Sequence, residues 1–377
     1  MKHKFEYINS ELNEIKKYNL YRKMYDSRIN DAYITINSKI LINLCSNDYL
    51  GITQPKTSNI QNQSSSRLVS GNDKSFRTLE KKLSKHKSQE SALIFPTGYM
   101  ANIGVISTII RKNDFVLSDK LNHASLIEAC KLTNAKLSIF NHNDTNDLIH
   151  KIKIKSKRKF IITEGVFSMD GDFSNLNEIT EIAQKNNAII ILDDAHGDFV
   201  MGTDGKGTAN HLGVSKKIDV YISSLSKGLG SFGGYAASKK NVTELCINKS
   251  KPFVYTSALP GILISDATKR FESKRERNRK KLWKNIMKFS NGLKKIGLNV
   301  DSDSQIFPII IGNEKTTMEF GQYLFKNGIF AQPIRYPTVP QNHARIRISI
   351  TARLTDEQIE KSLLVLENAK NKFKINN

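Results

Sequence analysis

Ile189-Ile190-Ile191-Leu192-Asp193-Asp194-Ala195-His196 begins as four consecutive aliphatic residues and ends in two carboxylates and an imidazole. A strand that is apolar at successive positions, rather than alternate ones, is buried on both faces. Strands of that kind belong to parallel sheets covered by helices, where ligands bind just beyond the carboxyl ends of the strands. The pattern recurs on either side. Ala92-Leu93-Ile94-Phe95, Phe115-Val116-Leu117, Leu137-Ser138-Ile139-Phe140, Phe160-Ile161-Ile162 and Val220-Tyr221-Ile222 are short apolar runs separated by longer helical stretches. Residues 50–238 therefore read as an α/β layer structure with a mostly parallel sheet flanked by helices.

The flanking regions read differently. The first forty residues are highly charged and predict a helix, then a hairpin. Tyr33-Ile34-Thr35-Ile36 alternates apolar and polar, Asn37-Ser38 supplies a turn, and Ile40-Leu41-Ile42 returns. After Ser257 the chain is helical and charged as far as Leu293. A smaller α/β unit follows: a strand at Ile309-Ile310-Ile311, a helix over Thr316 to Lys326, strands near Ile329 and at Ile346-Arg347-Ile348, and a last helix from Thr355. The expected division is an N-terminal segment 1–45, a large domain 46–285 and a small C-terminal domain 286–377.

Of the 377 residues, 58 are Lys or Arg and 36 are Asp or Glu, a formal charge of +22. That excess raises nucleic acid as a partner. The lysines are scattered, however, and neither dense run is interleaved with aromatics as a single-strand groove would be: Lys151 to Lys159 has none, and Lys269 to Lys284 has only Phe271 and Trp283, near its two ends. A solvated surface, or steering of an anionic substrate, explains the charge better, and no nucleic-acid partner is expected. Cys45, Cys130 and Cys246 form neither a CxxC pair nor a zinc spacing, so no metal is expected and a reducing cytoplasm fits. Met1 to Tyr18 is too polar for a secretory signal, and no apolar run approaches the roughly 20 residues of a membrane helix. A soluble cytoplasmic protein without membrane contact is expected.

Past each apolar run lie chemically useful groups. Thr97-Gly98-Tyr99 follow Phe95. Asp119, Asn122 and His123 follow Leu117, and Glu164 and Ser168 follow Ile162. Asp193, Asp194 and His196 follow Leu192, and Ser223, Ser224, Ser226 and Lys227 follow Ile222. One such cluster means little, but five on one rim make a site. Lys227 before Gly228-Leu229-Gly230 suits a Schiff-base amine. Asp193 and His196 suit two points of one flat ring. Thr97-Gly98-Tyr99 opens the helical pattern Met100 to Ile110, and a helix N-terminus binds a phosphate. Amine, ring carboxylate and phosphate cradle together describe pyridoxal 5′-phosphate (PLP). Taken singly, each has a plainer reading: Lys227 a surface turn, Asp193-Asp194 a magnesium site, His123 a helix cap.

The residues also match a known family. Asn47-Asp48-Tyr49-Leu50-Gly51, Ser66-Arg67-Leu68-Val69-Ser70-Gly71, Asn122-His123-Ala124-Ser125-Leu126 and Glu164-Gly165-Val166-Phe167-Ser168-Met169-Asp170-Gly171-Asp172 carry the match, with Asp193-Asp194-Ala195-His196-Gly197, Ser226-Lys227-Gly228 and Arg335-Tyr336-Pro337-Thr338-Val339-Pro340. Over most of its length the chain resembles the α-oxoamine synthases, PLP-dependent enzymes of fold type I.

The resemblance implies a large domain with a mostly parallel seven-stranded sheet, a small α/β C-terminal domain and a homodimer with a shared active site. It implies that Lys227 bears the cofactor, Asp193 pairs with the ring nitrogen, and His196 and Ser168 address the ring hydroxyl. It places His123 on the ring face, in contact with both cofactor and substrate. Gly98, Tyr99 and Ser224 would hold the phosphate, with Thr256 and Ser257 reaching the neighbouring subunit's. Arg347, helped by Asn47, would bind the amino-acid carboxylate, while Arg22 and Thr338 touch the acyl substrate. Lys227, His123, Asp193 and His196 would be catalytic. The implied reaction is a decarboxylative condensation of L-alanine with a pimeloyl thioester carried on coenzyme A or acyl carrier protein, with glycine or serine replacing alanine in other members. The chain departs from the family pattern at Ser224 (usually Thr), Ser64-Ser65-Ser66 (usually with a Gly), Phe76 and Leu354 (each usually His).

Overall fold

The computed structural model describes residues 6–22, 24, 26–53, 55, 65–300 and 302–375; Ser64, one of the departures above, lies outside them. The chain forms two compact units, one of Asn47–Ser168 with Asp172–Lys280, the other of Met1–Ser46, Met169–Gly171 and Lys281–Asn377. The N-terminal segment, expected as a piece of its own, clusters with the C-terminal region. The reason is a long-range pairing: Lys39–Asn43 runs parallel to Ile329–Phe330, with Ile42 opposite Ile329.

The larger unit is built on a seven-stranded sheet in the order Ser91–Phe95, Gly234–Ser238, Val220–Ser224, Ala188–Asp193, Lys159–Glu164, Phe115–Asp119, Lys136–Phe140. Gly234–Ser238 is antiparallel to both neighbours, and the other pairings are parallel. All six apolar runs are strands. The seventh, Gly234-Tyr235-Ala236-Ala237-Ser238, has no run of large aliphatics to announce it, because glycine, alanine and serine surround its one large residue, Tyr235. It is buried throughout, and a Cβ on Gly234 would stand 2.5 Å from the Gly98 nitrogen. The strand is pressed against the start of helix Gly98–Ile109. That helix is apolar on nearly all sides, so it too is interior; Val105 and Ile106 pack with Phe95, Ile162, Ile191 and Ile222 in the core beneath the site.

The charged helical stretch expected after Ser257 forms separate helices, and the basic run Lys269 to Lys284 spans two of them, Gly261–Glu272 and Arg275–Lys295. Part of it is interior: Arg270 is buried, bound to Asp266 at 2.8 Å and donating to the Ile52 carbonyl at 3.0 Å.

The smaller unit holds two sheets. Ser27–Asn30, Tyr33–Ile36, Lys39–Asn43 and Ile329–Phe330 form one. Its expected hairpin turns at Asn37 and Ser38, both with positive φ (47° and 62°), the twist that a two-residue hairpin loop needs. Ile306–Gly312, Ala344–Ser349 and Gln332–Ile334 form the other. The last helix, Asp356–Phe373, starts where expected, because Thr355 and Gln358 make a reciprocal capping box. Phe76, in the larger unit, and Leu354, in the smaller, are fully interior, and the Arg67 guanidinium lies 4.3 Å from the Phe76 ring centroid.

Candidate active site

Two adjacent parallel strands, Ala188–Asp193 and Val220–Ser224, end side by side. Their ends bring Asp193 and Lys227 to one cavity of about 250 Å³, whose wall also includes Thr97, Gly98, Tyr99 and His123. Lys227 Nζ lies 2.8 Å from His196 Nε2. His196 Nδ1 lies 2.7 Å from Tyr49 Oη, which donates to Asn47 Oδ1 at 3.0 Å. One proton arrangement satisfies this chain: Lys227 donates to Nε2, Nδ1–H donates to Tyr49, and Tyr49 donates to Asn47. The imidazole is thereby fixed in one tautomer, with Nε2 aimed at the amine. The Tyr49 link was not read from the sequence; Tyr49 lies within the quoted Asn47 to Gly51 motif but looks there like an ordinary core aromatic.

Asp193 is held from two sides. Its Oδ1 accepts from the Ala195 backbone N–H at 3.0 Å and its Oδ2 from Asn102 Nδ2 at 2.7 Å. Asn102 also reaches Ser125 Oγ at 2.9 Å. Sequence reasoning missed Asn102, although a signal existed: a lone amide in the apolar helix Gly-Tyr-Met-Ala-Asn-Ile-Gly-Val, which needs an interior partner. Beside Asp193 sits Glu164. Burial, reinforced by the Asp193 carboxylate, pushes the Glu164 carboxyl up to about 8. Near neutral pH Glu164 is therefore mainly uncharged, which spares the cavity a second negative charge beside Asp193. Glu164 Oε1 accepts the His123 backbone N–H at 2.6 Å, and the Ser168 backbone N–H also serves this carboxylate. His123 is both cavity wall and cap: its Nδ1 accepts from the Ser125 N–H at the start of helix Ala124–Leu132. Burial lowers its pKa, favouring the neutral ring.

Several strand-end groups expected on the rim turn away. Asp194 follows Asp193, and successive residues of an extended chain face opposite sides. It is bound by Lys87 at 2.9 Å and Thr208 at 2.7 Å instead, so the two aspartates do not form a metal pair. Asn122 donates to Ser118 Oγ and the Ile162 carbonyl, tying neighbouring strands together.

Asp119 meets His142 at 2.9 Å, and the far nitrogen of His142 meets Asp172 at 2.7 Å. Burial opposes the charge on His142, but its hydrogen bonds with Asp119 and Asp172 outweigh that and carry it up to about 10. A folded-state pKa above the ordinary value of about 6.5 means stabilisation that is complete below that value and is lost as pH rises through 10. His142→Asn should destabilise the protein by about 1–2 kcal/mol at pH 6, less than the whole shift because solvent screens the partly exposed His142–Asp172 pair. The gap from the parent should shrink towards pH 10 in denaturant unfolding; a gap constant across pH would refute the linkage.

At the other end of the cavity Thr97 caps helix Gly98–Ile109 by accepting from the Met100 N–H. A Cβ on Gly98 would crowd Ser224 Cβ at 3.2 Å, so glycine lets the helix start lie against the end of strand Val220–Ser224. Ser224 Oγ and Ser226 Oγ are 2.8 Å apart. The Tyr99 hydroxyl binds Glu128, and Tyr99 lies on the cavity wall. Thr256 and Ser257 line a different crevice, with Arg67 and Phe76. In the smaller unit Arg347 is buried on strand Ala344–Ser349, with Nη1 donating to Ser349 Oγ at 2.7 Å. In the same unit Arg22 donates to Thr338 Oγ1 at 3.2 Å.

An amine, a carboxylate fixed by two donors and a helix N-terminus flanked by hydroxyls thus open on one space. This donor set fits a phosphorylated pyridine aldehyde: Lys227 for the carbonyl, Asp193 for the ring nitrogen, and Gly98, Tyr99 and Ser224 for the phosphate.

The aminotransferase class I and II family model matches residues 39–366. The chain is similar to the 8-amino-7-oxononanoate synthase of Thermoanaerobacter pseudethanolicus, with 38% identity over 97% of both chains. Among solved structures it resembles the serine palmitoyltransferase of S. paucimobilis with bound PLP–myriocin, at a TM-score of 0.89 and 26% identity over 98% of each chain. It also resembles the 8-amino-7-oxononanoate synthase of Francisella tularensis, at a TM-score of 0.75 and 27% identity over 89% of this chain and 99% of that one.

Proposed function

The chain belongs to the aminotransferase class I and II family, and from that premise we propose that it performs the 8-amino-7-oxononanoate synthase reaction with PLP as cofactor. L-Alanine and a pimeloyl thioester, on coenzyme A or acyl carrier protein, are condensed with loss of carbon dioxide and release of the thiol, a step of biotin formation. The observation that carries this reading is the shared cavity of Lys227 and Asp193, together with relatives of that name covering nearly the whole chain.

When bound, PLP supplies an electron sink for the charge left at the alanine α-carbon. The protein's residues do the rest. Lys227 Nζ would be the attachment point for the group, and as a free amine would accept the α-proton. His196, with its tautomer fixed by Tyr49, orients that amine. Asp193 holds a proton on the ring nitrogen, and Asn102 and Ala195 keep its carboxylate aimed. His123, on the cavity wall, would cover one face of the ring. The free N–H groups of Gly98 and Tyr99, with Ser224, bind the phosphate, and Thr256 and Ser257 serve the same purpose for a second subunit in a homodimer.

Arg347 binds the alanine carboxylate, helped by Asn47, because a planar guanidinium can take both oxygens at once. Arg347→Lys keeps the charge but loses the fork. It should raise the KM for alanine by about 10–100-fold, on the scale of one or two charge-assisted hydrogen bonds, with a smaller effect on kcat. An unchanged KM would remove this role. Arg22 and Thr338 contact the acyl chain.

The deciding experiment is mass-spectrometric identification of products after incubating the PLP-loaded protein with alanine, glycine or serine and a series of acyl thioesters. Formation of 8-amino-7-oxononanoate from alanine and pimeloyl-CoA or pimeloyl carrier protein supports the reading. Turnover confined to glycine with acetyl-CoA, or to serine with a long-chain thioester, refutes it.

A further inference from the structure

Asp194 was left over by the mechanism. It sits in a turn whose two ends are clamped by one buried cation. Lys87, the residue that ends helix Lys74–His86, places its Nζ 2.9 Å from Asp194 Oδ2 and 2.7 Å from Asp198 Oδ1. It also donates to the Lys206 carbonyl at 3.0 Å. The side chains of all three ionic residues are at most 1% exposed.

The remaining oxygens are occupied. Asp194 Oδ1 accepts from Thr208 Oγ1 at 2.7 Å. Asp198 Oδ1 meets His86 Nε2 at 3.0 Å, and Asp198 Oδ2 accepts from Ser223 Oγ at 2.8 Å and Tyr235 Oη at 2.5 Å. Between the two aspartates the backbone coils tightly, with the Gly197 and Asp198 N–H groups both donating to the Asp194 carbonyl at 3.0 and 2.7 Å.

There is no slack around the clamp. A Cβ on Gly207 would lie 1.8 Å from Asp194 Oδ2, and one on Gly197 would lie 2.0 Å from Thr208 Oγ1. The turn held in this way carries the site's chemistry on its other side. Asp193 immediately precedes the first clamped carboxylate and lines the cavity, and His196 lies between the two and reaches Lys227. A rotation of the turn large enough to move His196 must break one of the two Lys87 contacts.

Building on the proposed function, we propose that Lys87 is a positioning residue: through Asp194 and Asp198 it sets the turn that presents Asp193 and His196 to the cofactor. The ammonium touches neither substrate nor cofactor. A cation so enclosed is costly to desolvate, and it is compensated here by two carboxylates rather than one.

The test uses full-length Lys87→Met and Asp198→Asn, with PLP affinity measured by absorbance titration well below each variant's unfolding temperature. The pH midpoint of the bound-cofactor absorbance and the melting temperature are recorded alongside. Lys87→Met should weaken PLP binding by ~10–100-fold, the scale on which supporting residues usually act on a bound group, and should displace the pH midpoint. Asp198→Asn leaves Lys87 paired with Asp194, so the fold is kept if Lys87→Met fails to refold. It should give the same two changes at smaller size. Variants that melt earlier yet bind PLP with unchanged affinity and an unchanged midpoint would overturn the proposal, leaving Lys87 a structural ion pair. A parent protein that does not bind PLP at all would instead overturn the functional reading itself.

Discussion

Lys227→Ala should stop turnover of alanine with a pimeloyl thioester, by at least about 10⁴-fold, the upper range for loss of a positioned general base. The size follows from the number of jobs removed at one atom. In the proposed reaction Nζ is the cofactor's attachment point and the acceptor of the α-proton, and in the structure it is the partner of His196 at 2.8 Å. The fold should survive, because Lys227 is only partly buried and lies in the turn beyond the sheet rather than in the core. PLP should still associate through Asp193 and the helix terminus at Gly98, but sodium borohydride should no longer fix it to the protein. Mass spectrometry of the reduced protein reads this directly: the parent gains the mass of the reduced cofactor and the variant does not. A variant that is labelled at Lys227's usual stoichiometry, or that turns over normally, would dismiss Lys227 as the site amine.

Asp193→Ala should lower kcat by roughly 10²–10³-fold, the effect of removing one preorganised electrostatic partner of a developing charge. A carboxylate is needed because a neutral group cannot balance a protonated ring nitrogen. The alanine variant also strips Asn102 Nδ2 of one acceptor in a helix that already carries an unpartnered Oδ1 at that residue, so part of its effect is structural. Asp193→Asn separates the two. Its Oδ1 can still accept the Ala195 N–H, and a flip of the Asn102 amide brings the unpartnered Asn102 Oδ1 to the new side-chain NH2, so the variant loses the charge and should retain the parent's melting temperature within a few degrees yet share most of the kcat loss. Full turnover in either variant would refute the pairing. A loss in the alanine variant alone would make Asp193 a structural residue.

Much of the site could be read in advance for one physical reason. Strands buried on both faces must be apolar throughout, so the first polar residues after them mark the rim, and Asp193, His196, His123 and Lys227 were found by that rule. The same rule failed at Asp119, Asn122 and Asp194. It locates the end of a strand but not the side to which each following side chain turns, and these three turn to His142, Ser118 and Lys87. Strand Gly234–Ser238 was hidden for the opposite reason. Its approach to Gly98 demands glycine at position 234, and Ala236, Ala237 and Ser238 around the single large Tyr235 leave only a weak hydrophobic signature.

Apart from strand Gly234–Ser238, the succession of strands in the large sheet, its burial and the kinds of chemical group along its rim were settled by local pattern, because periodicity and turn residues act over a few positions. Which of those groups meet was settled only by folding. Lys87 finds Asp194 and Asp198, Asn102 finds Asp193, and Lys39–Asn43 finds Ile329–Phe330 across long stretches of chain. Partnerships of that kind depend on how layers pack, and no short window of residues contains them.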